Sequence, residues 1–322
     1  MAGRKGRTVG YICRVAGRKL AGVIAVVAVV EELMTPDYWA GAWEEAARNS
    51  PTGRRRRGEE EAIAHWNRRA ESFVRSTAGA DAVRKREEVL ALLRQEGALR
   101  PGVRVLDIGA GPGNFALPLA RVAAEVVAVE PAAAMLRILR ERAAREGISN
   151  ITCVQATWQE IDLDARGWRG SFDLVFASMS PGVQNAAMLE KMMAASRDFC
   201  YYSSFAGPRW DVARVELWRR FFGEDLNSGR SEIVFPFMYL YTSGYRPLLH
   251  FGNEYVRAAK PVAAVVDELA LFFEQYTDVT PAVRDTIAAY VQARAQGGIY
   301  RWERRICSGM MLWRVRQEAA LP

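Results

Sequence analysis

The residues Asp107-Ile-Gly-Ala-Gly-Pro-Gly113 have the types and spacing to hold a small ligand against bare backbone. Gly109, Gly111 and Gly113 remove the Cβ atoms that would block a close approach to the main chain. A helix beginning there aims its free N–H groups and the positive end of its dipole at the same ligand. The dinucleotide fingerprint G-x-G-x-x-G is met only in its first two glycines, because Asn114 stands where the third belongs and Gly113 arrives one residue early. Asp107, two positions before the first glycine, would repel a pyrophosphate but suits an ammonium or a sulfonium. Glu130 ends a later apolar run, where its carboxylate can accept hydrogen bonds from two ribose hydroxyls. These types favour S-adenosylmethionine over a nicotinamide dinucleotide.

Three further side chains are candidates for catalysis. Ser178 and Ser180 belong to Ser178-Met-Ser-Pro-Gly182, which follows a strand-like run, and His65 sits beside Trp66. A lone histidine next to a tryptophan is more often structural than catalytic. Met179 is read equally as core packing or as an acceptor contact. Arg246 is a candidate for binding an acidic group, against the plainer reading of an exposed arginine. No metal site is expected: the only histidines are His65 and His250, and Cys13, Cys153, Cys200 and Cys307 are far apart. That cysteine usage also fits a reducing compartment, so a cytoplasmic location is expected.

The elements that must position these groups alternate between strand and helix. Val103–Ile108, Val126–Val129, Ile151–Val154, Phe172–Phe176 and Phe199–Phe205 read as strands. Asn114–Ala123, Ala132–Arg145 and Ala186–Ala195 read as the helices between them. Strands joined by helices of this length form a parallel sheet covered on both faces, with ligands beyond its carboxyl end. A last strand is expected at Met310–Val315, with an extended segment at 247–256. The fold class is therefore α/β, doubly wound, with a mostly parallel sheet, an antiparallel last strand, an N-terminal helical cap and a C-terminal helical lid. The expected divisions are a cap over 34–100 and a cofactor-binding domain over 101–322, with the lid inserted at about 207–297.

Three stretches, V-L-D-I-G-A-G-P-G-N-F, V-A-V-E-P-A-A-A-M-L and F-D-L-V-F-A-S, occur in that order at 105–115, 127–136 and 172–178. They resemble class I S-adenosylmethionine-dependent methyltransferases over about residues 101–206. The resemblance implies that Asp107 and the backbone of Gly109, Ala110, Gly111 and Gly113 hold the methionine portion. It assigns Glu130 to the ribose and adds Pro131 and Ser178 to the cofactor set. Many members place an acidic residue after the third strand for the adenine amino group. Here the sequence is Gln155-Ala-Thr-Trp158, so Thr157 takes that role and Trp158 stacks on or covers the ring.

Half of the 322 residues are hydrophobic and a quarter charged, which is ordinary globular composition. Of the formal charge of +7, residues 1–33 contribute +4 and the rest of the chain +3. The dense run Arg54–Arg57 precedes Glu59, Glu60 and Glu61 and reads as a partly self-neutralised linker rather than a nucleic-acid patch. Within residues 1–33 the apolar run Leu20–Val30 is about half the ~20 residues that span a bilayer as a helix. That segment is expected either to precede a native start at Met34 or to be an anchor or targeting segment; no other membrane contact is expected.

The function expected is methyl transfer from S-adenosylmethionine to a small-molecule acceptor, with nucleic acid not expected as a partner. An RNA or protein methyltransferase and a non-catalytic cofactor-binding module are the alternatives.

Overall fold

The computed structural model describes residues 31–207, 209–227 and 232–316. The expectations for residues 1–30 lie outside the described residues.

Four helices open the described chain: α1 (Pro36–Asn49), α2 (Pro51–Arg54), α3 (Glu59–Ser76) and α4 (Ala80–Gln95). Thr35 caps α1 and Ser50 caps α2, each followed by a first-turn proline whose missing N–H needs no partner. Gly97, at φ 74°, follows the end of α4 in the left-handed region that only glycine adopts without strain.

The sheet strands are β1 (Arg104–Ile108), β2 (Glu125–Val129), β3 (Ile151–Val154), β4 (Phe172–Ser178), β5 (Ser196–Phe205), β6 (Leu248–Pro261) and β7 (Ile299–Arg314). Helices α5 (Ala116–Ala120), α6 (Ala133–Arg145) and α7 (Ala186–Ala195) lie between the parallel strands. The order across the sheet is β3-β2-β1-β4-β5-β7-β6, parallel as far as β5 and antiparallel after it. Alternation sorts the strand side chains onto two cores. Leu106, Ile108, Val127, Val129 and Val175 face a core shared with Leu189 and Met192 of α7 and Trp43 of α1. Val105, Val126, Ala128, Leu174 and Phe176 face the other, shared with α4, α5 and α6. The direction of winding reverses between β1 and β4, which opens the crevice in which such sheets bind ligands.

Two expectations are corrected. The predicted helix 114–123 shortens to Ala116–Ala120, since Pro118 supplies no N–H and residues 121–124 close as turns and bends. The extended segment expected at 247–256 and the antiparallel last strand expected at 310–315 are both present but longer, at 14 and 16 residues. Residues 308–312 of β7 pair with both neighbours, whereas Ile299–Cys307 pair only with Asn253–Pro261, as a two-stranded ribbon running past the sheet. With few buried positions the ribbon has no apolar stripe to announce it.

Between β5 and β7 lie α8 (Val212–Phe222), α9 (Val234–Thr242), α10 (Val262–Phe273) and α11 (Pro281–Gln292). Leu217 and Trp218 of α8, Leu269 and Phe273 of α10, and Ile287 and Val291 of α11 form a separate core. The Arg54–Arg57 run ties the N-terminal helices to this later segment instead of neutralising itself against Glu59–Glu61. Arg54 and Arg55 both bind Glu224, the latter at 2.8 Å, and Arg57 reaches Asp278 at 2.6 Å. Arg68 of α3 joins Glu274 at 3.3 Å.

Candidate functional site

The glycine-rich turn leaves β1 at the reversal point. The N–H groups of Gly109 and Ala110 both donate to Val129 O, at 2.8 and 3.1 Å, which ties the turn to the end of β2. All three glycines have positive φ, but their reasons differ. A Cβ on Gly109 would lie 2.2 Å from Ser180 Oγ, and one on Gly113 would lie 2.3 Å from Leu139 Cδ1. Only Gly111 faces open space. Gly109 and Gly113 thus permit tight packing of the loop after β4 and of α6, whereas the space beside Gly111 is left open. Arg142 of α6 braces the turn by donating to Pro112 O at 2.8 Å and to Asn114 Oδ1 at 3.2 Å.

Asp107 is buried, and its Oδ2 has no hydrogen-bond partner. Burial first, and the nearby Glu130 second, push its carboxyl up to about 8. A cationic ligand would oppose both causes by stabilising the ionised form, which is the behaviour expected of a carboxylate meeting an ammonium or sulfonium. Glu130 is buried too and accepts from Gly111 N at 3.0 Å through Oε2 and from Ala132 N at 2.9 Å through Oε1. Burial raises its carboxyl against the opposing pull of those two N–H groups. Each carboxylate oxygen keeps a second lone pair, enough for two hydroxyl donors. Pro131 fills the single position between Glu130 and Ala132.

Across the crevice, Ser178 ends β4 and its hydroxyl pairs with Ser203 Oγ at 3.1 Å. Ser180 lies buried over Gly109, its hydroxyl accepting from Gly182 N at 3.1 Å. Met179 between them is the only non-glycine residue with positive φ among those described, at 52°, and its side chain is 43% exposed, which removes the core-packing reading. Such backbone strain collects where a site over-determines the chain. The sequence held no sign of it.

Asp107, the glycines, Glu130, Pro131, Ser178 and Ser180 thus gather at the carboxyl ends of β1, β2 and β4. The residues after β3 have other contacts. Thr157 N and Oγ1 both donate to Glu160 Oε2, at 2.8 and 3.0 Å. This T-x-x-E capping pair is readable in the sequence. Trp158 is buried in the core, its Nε1 donating to Met188 O at 3.2 Å. His65 lies on α3, buried, with neither ring nitrogen hydrogen-bonded and so no bond to either serine. Burial, then Arg69 and Arg68, push it down to about 4, so the ring is neutral near pH 7. Asn67, two residues on, accepts from Ala134 N at 2.9 Å and fixes α3 against the start of α6. Arg246 donates to Tyr241 O and Tyr245 O, closing the end of α9.

Residues 105–199 match a family model described as a methyltransferase domain. The 23S rRNA (uracil(1939)-C(5))-methyltransferase RlmD of a Shewanella species is 38% identical over 97 residues, 30% of this chain and 21% of that protein. Its namesake from Klebsiella pneumoniae is 40% identical over 106 residues, 33% of this chain and 24% of its own. The chain thus spans about a fifth to a quarter of the length of these curated relatives. Among solved structures, magnesium protoporphyrin IX methyltransferase from Synechocystis aligns with a TM-score of 0.47 and 14% identity, covering 78% of this chain and 99% of that one. The YcgJ protein from Bacillus subtilis aligns with a TM-score of 0.45 and 15% identity, covering 72% and 99%. Residues 105–199 are thus similar in sequence to a methyltransferase domain.

Proposed function

We propose that this chain transfers a methyl group from S-adenosylmethionine to a small-molecule acceptor enclosed between a cap over residues 34–100 and a lid over about 207–297. The observation that carries this reading is the buried, unpartnered Asp107 carboxylate beside the open side of Gly111 and the half-used carboxylate of Glu130. In the proposal Asp107 takes the α-ammonium, the Gly109–Gly113 backbone takes the carboxylate, and Glu130 holds both ribose hydroxyls. Pro131 borders the ribose, and Thr157 lies on the adenine side, its hydroxyl shared with Glu160. Trp158 supports that wall from the core, and Ser178 borders the methyl-bearing end.

When bound, the cofactor supplies a methyl group already activated by its sulfonium. The chain's own task is to hold the acceptor atom in line, at roughly 3–3.5 Å, and to exclude water. Ser178, Ser180 and the neutral His65 are the groups proposed to position the acceptor or move its proton. His65, depressed to about 4, serves as an acceptor of hydrogen bonds better than as a strong base.

The relatives named as rRNA methyltransferases raise a second reading, an RNA acceptor. Their similarity is confined to about a third of this chain. The densest basic run is spent on the clasp to Glu224 and Asp278, which favours a small acceptor. No helix of the described residues is long and apolar enough to cross a membrane, and Cys153, Cys200 and Cys307 are free thiols. A cytoplasmic location is proposed on that cysteine usage. Incubation with methyl-labelled cofactor and a cell extract, followed by separation of small molecules from macromolecules, tests the proposal. Label among small molecules supports it, label in RNA or protein supports the other acceptors, and bound cofactor without transfer leaves a binding module.

A further inference from the structure

On one side of α3, cationic side chains from several segments of the chain collect. His65 and Arg69 are one turn apart and share a face of that helix. Facing them are Arg214 of α8, Arg304 of β7 and Arg209 in the segment before α8, all half-buried. These guanidinium groups rest on aromatic rings: Arg209 lies 4.6 Å from the Trp210 ring, Arg214 5.1 Å from Phe272, and Arg304 5.4 Å from Trp302. The rings touch one another, Trp210 and Phe272 at 5.2 Å and Phe272 and Tyr276 at 5.4 Å between centroids. The cations feel each other. After burial, Arg214 is the next cause that lowers the pKa of both Arg69 and Arg304.

The carboxylates within reach are already engaged. Asp211 binds Arg214, Glu268 binds Lys260 at 2.5 Å, and Glu254 binds Lys85. Among the described residues Arg69 and Arg304 take part in no ion pair. Several buried donors here also lack acceptors: Arg304 Nε, Trp210 Nε1 and Trp218 Nε1. Half-buried charge and unmet N–H groups are both costly, and a ligand with several anionic oxygens relieves both at once. The planar guanidinium fork matches carboxylate and phosphate oxygens.

We propose that Arg69 and Arg304, in the field of Arg214 and with the indole N–H groups of Trp210 and Trp218, bind an oxyanion, the carboxylate or phosphate of the acceptor. The assignment of that oxyanion to an acceptor rests on the methyl-transfer reading above. Helix α3 couples the two sites. Asn67 and Ala70, on its other face, meet Ala134 and Ala132 directly after Glu130. An acceptor anchored at Arg69 therefore lies across one helix from the cofactor's ribose carboxylate.

The test titrates the full-length protein with inorganic phosphate and, separately, with benzoate, at constant ionic strength set by sodium chloride. S-adenosylhomocysteine is titrated in parallel. The wild-type chain is expected to bind at least one oxyanion, and the preference tells a phosphorylated acceptor from a carboxylic acid. Arg69→Gln and Arg304→Gln should each weaken that binding at least about tenfold, as expected for a lost charge-assisted hydrogen bond, with S-adenosylhomocysteine affinity within about twofold of wild type. If a glutamine variant fails to fold, Arg69→Lys and Arg304→Lys keep the charge and lose the fork, and should still bind measurably more weakly than wild type. The proposal is overturned if neither oxyanion binds the wild-type chain, or if the folded variants bind as tightly as wild type. Failure of the wild type to bind S-adenosylhomocysteine would instead count against the methyl-transfer reading and leave the oxyanion result standing.

Discussion

Glu130 Oε2 accepts the backbone N–H of Gly111 at 3.0 Å, so the proposed ribose carboxylate and the open glycine of the turn are one hydrogen-bonded unit. The other oxygen takes the N–H of Ala132 at 2.9 Å. Replacing Glu130 by Gln puts an NH2 group against one of two N–H donors. That leaves a buried donor unmet, at a cost of about 1–3 kcal/mol in stability. Affinity for S-adenosylhomocysteine is expected to fall at least about tenfold, since a charge-assisted acceptor for a ribose hydroxyl is lost. Urea unfolding and calorimetric titration measure the two effects; a loss of stability with unchanged affinity would remove Glu130 from the cofactor site.

Asp107 links cofactor binding to pH. With its carboxyl pushed up to about 8, the group is mainly protonated at neutral pH in the free protein. A cationic ligand selects the ionised form. Affinity should therefore decline as pH falls below about 8, by up to about tenfold per unit, with proton release on binding near pH 7. Titrations in buffers of different ionisation enthalpy read that release directly; none at pH 7 would exclude the assigned ammonium partner.

The same group carries a stability prediction of opposite sense. Between its ordinary value of 3.8 and about 8 the native state holds a proton that the unfolded chain has lost. The free protein is therefore destabilised by this carboxyl as pH rises through that window. Asp107→Asn removes this component. The variant should lose less stability than wild type between pH 4 and pH 8 while losing the cofactor, as read by paired denaturant melts; parallel wild-type and variant curves would contradict it.

Gly111 and Gly113 separate ligand access from packing. Gly113→Ala brings a Cβ to 2.3 Å from Leu139 Cδ1 at a φ of 84° and should destabilise the fold by about 1–3 kcal/mol. Gly111→Ala meets no atom within 4 Å, so only the backbone strain at φ 55° opposes it, about 1–2 kcal/mol. Its larger effect should be on affinity for S-adenosylhomocysteine. Comparable affinity losses per unit of lost stability in both variants would refute the distinction.

Met179 stores strain between Ser178 and Ser180, two of the groups proposed to position the acceptor. Met179→Gly relieves a left-handed backbone that a side chain resists, and should leave stability unchanged or raise it by up to about 1 kcal/mol. Removal of the exposed side chain should lower kcat/KM for the acceptor once that is known. A clear drop in melting temperature would show that this side chain supports the fold instead.

Much of the candidate site was legible because it is local. A strand, a glycine-rich turn and a carboxylate at the end of the next strand lie within 107–130, and alternation of apolar residues alone puts them at one end of a parallel sheet. What the sequence left equivocal were contacts with several possible partners. Arg54–Arg57 had nearby glutamates, yet Glu224 and Asp278 hold Arg54, Arg55 and Arg57, because folding brings the lid beside the cap. The three glycines looked alike until Ser180 and Leu139 arrived against two of them.

The sequence by itself determined which residues the strand–turn–helix brings together, since hydrogen bonding along such a unit depends on residues close in the chain. Tertiary structure alone decided the surroundings of that site. It buried Asp107 with no partner for Oδ2, and it brought Arg69 and Arg304, 235 positions apart in the chain, within electrostatic reach of each other. Burial and long-range charge follow from how distant segments pack, and no local pattern encodes them.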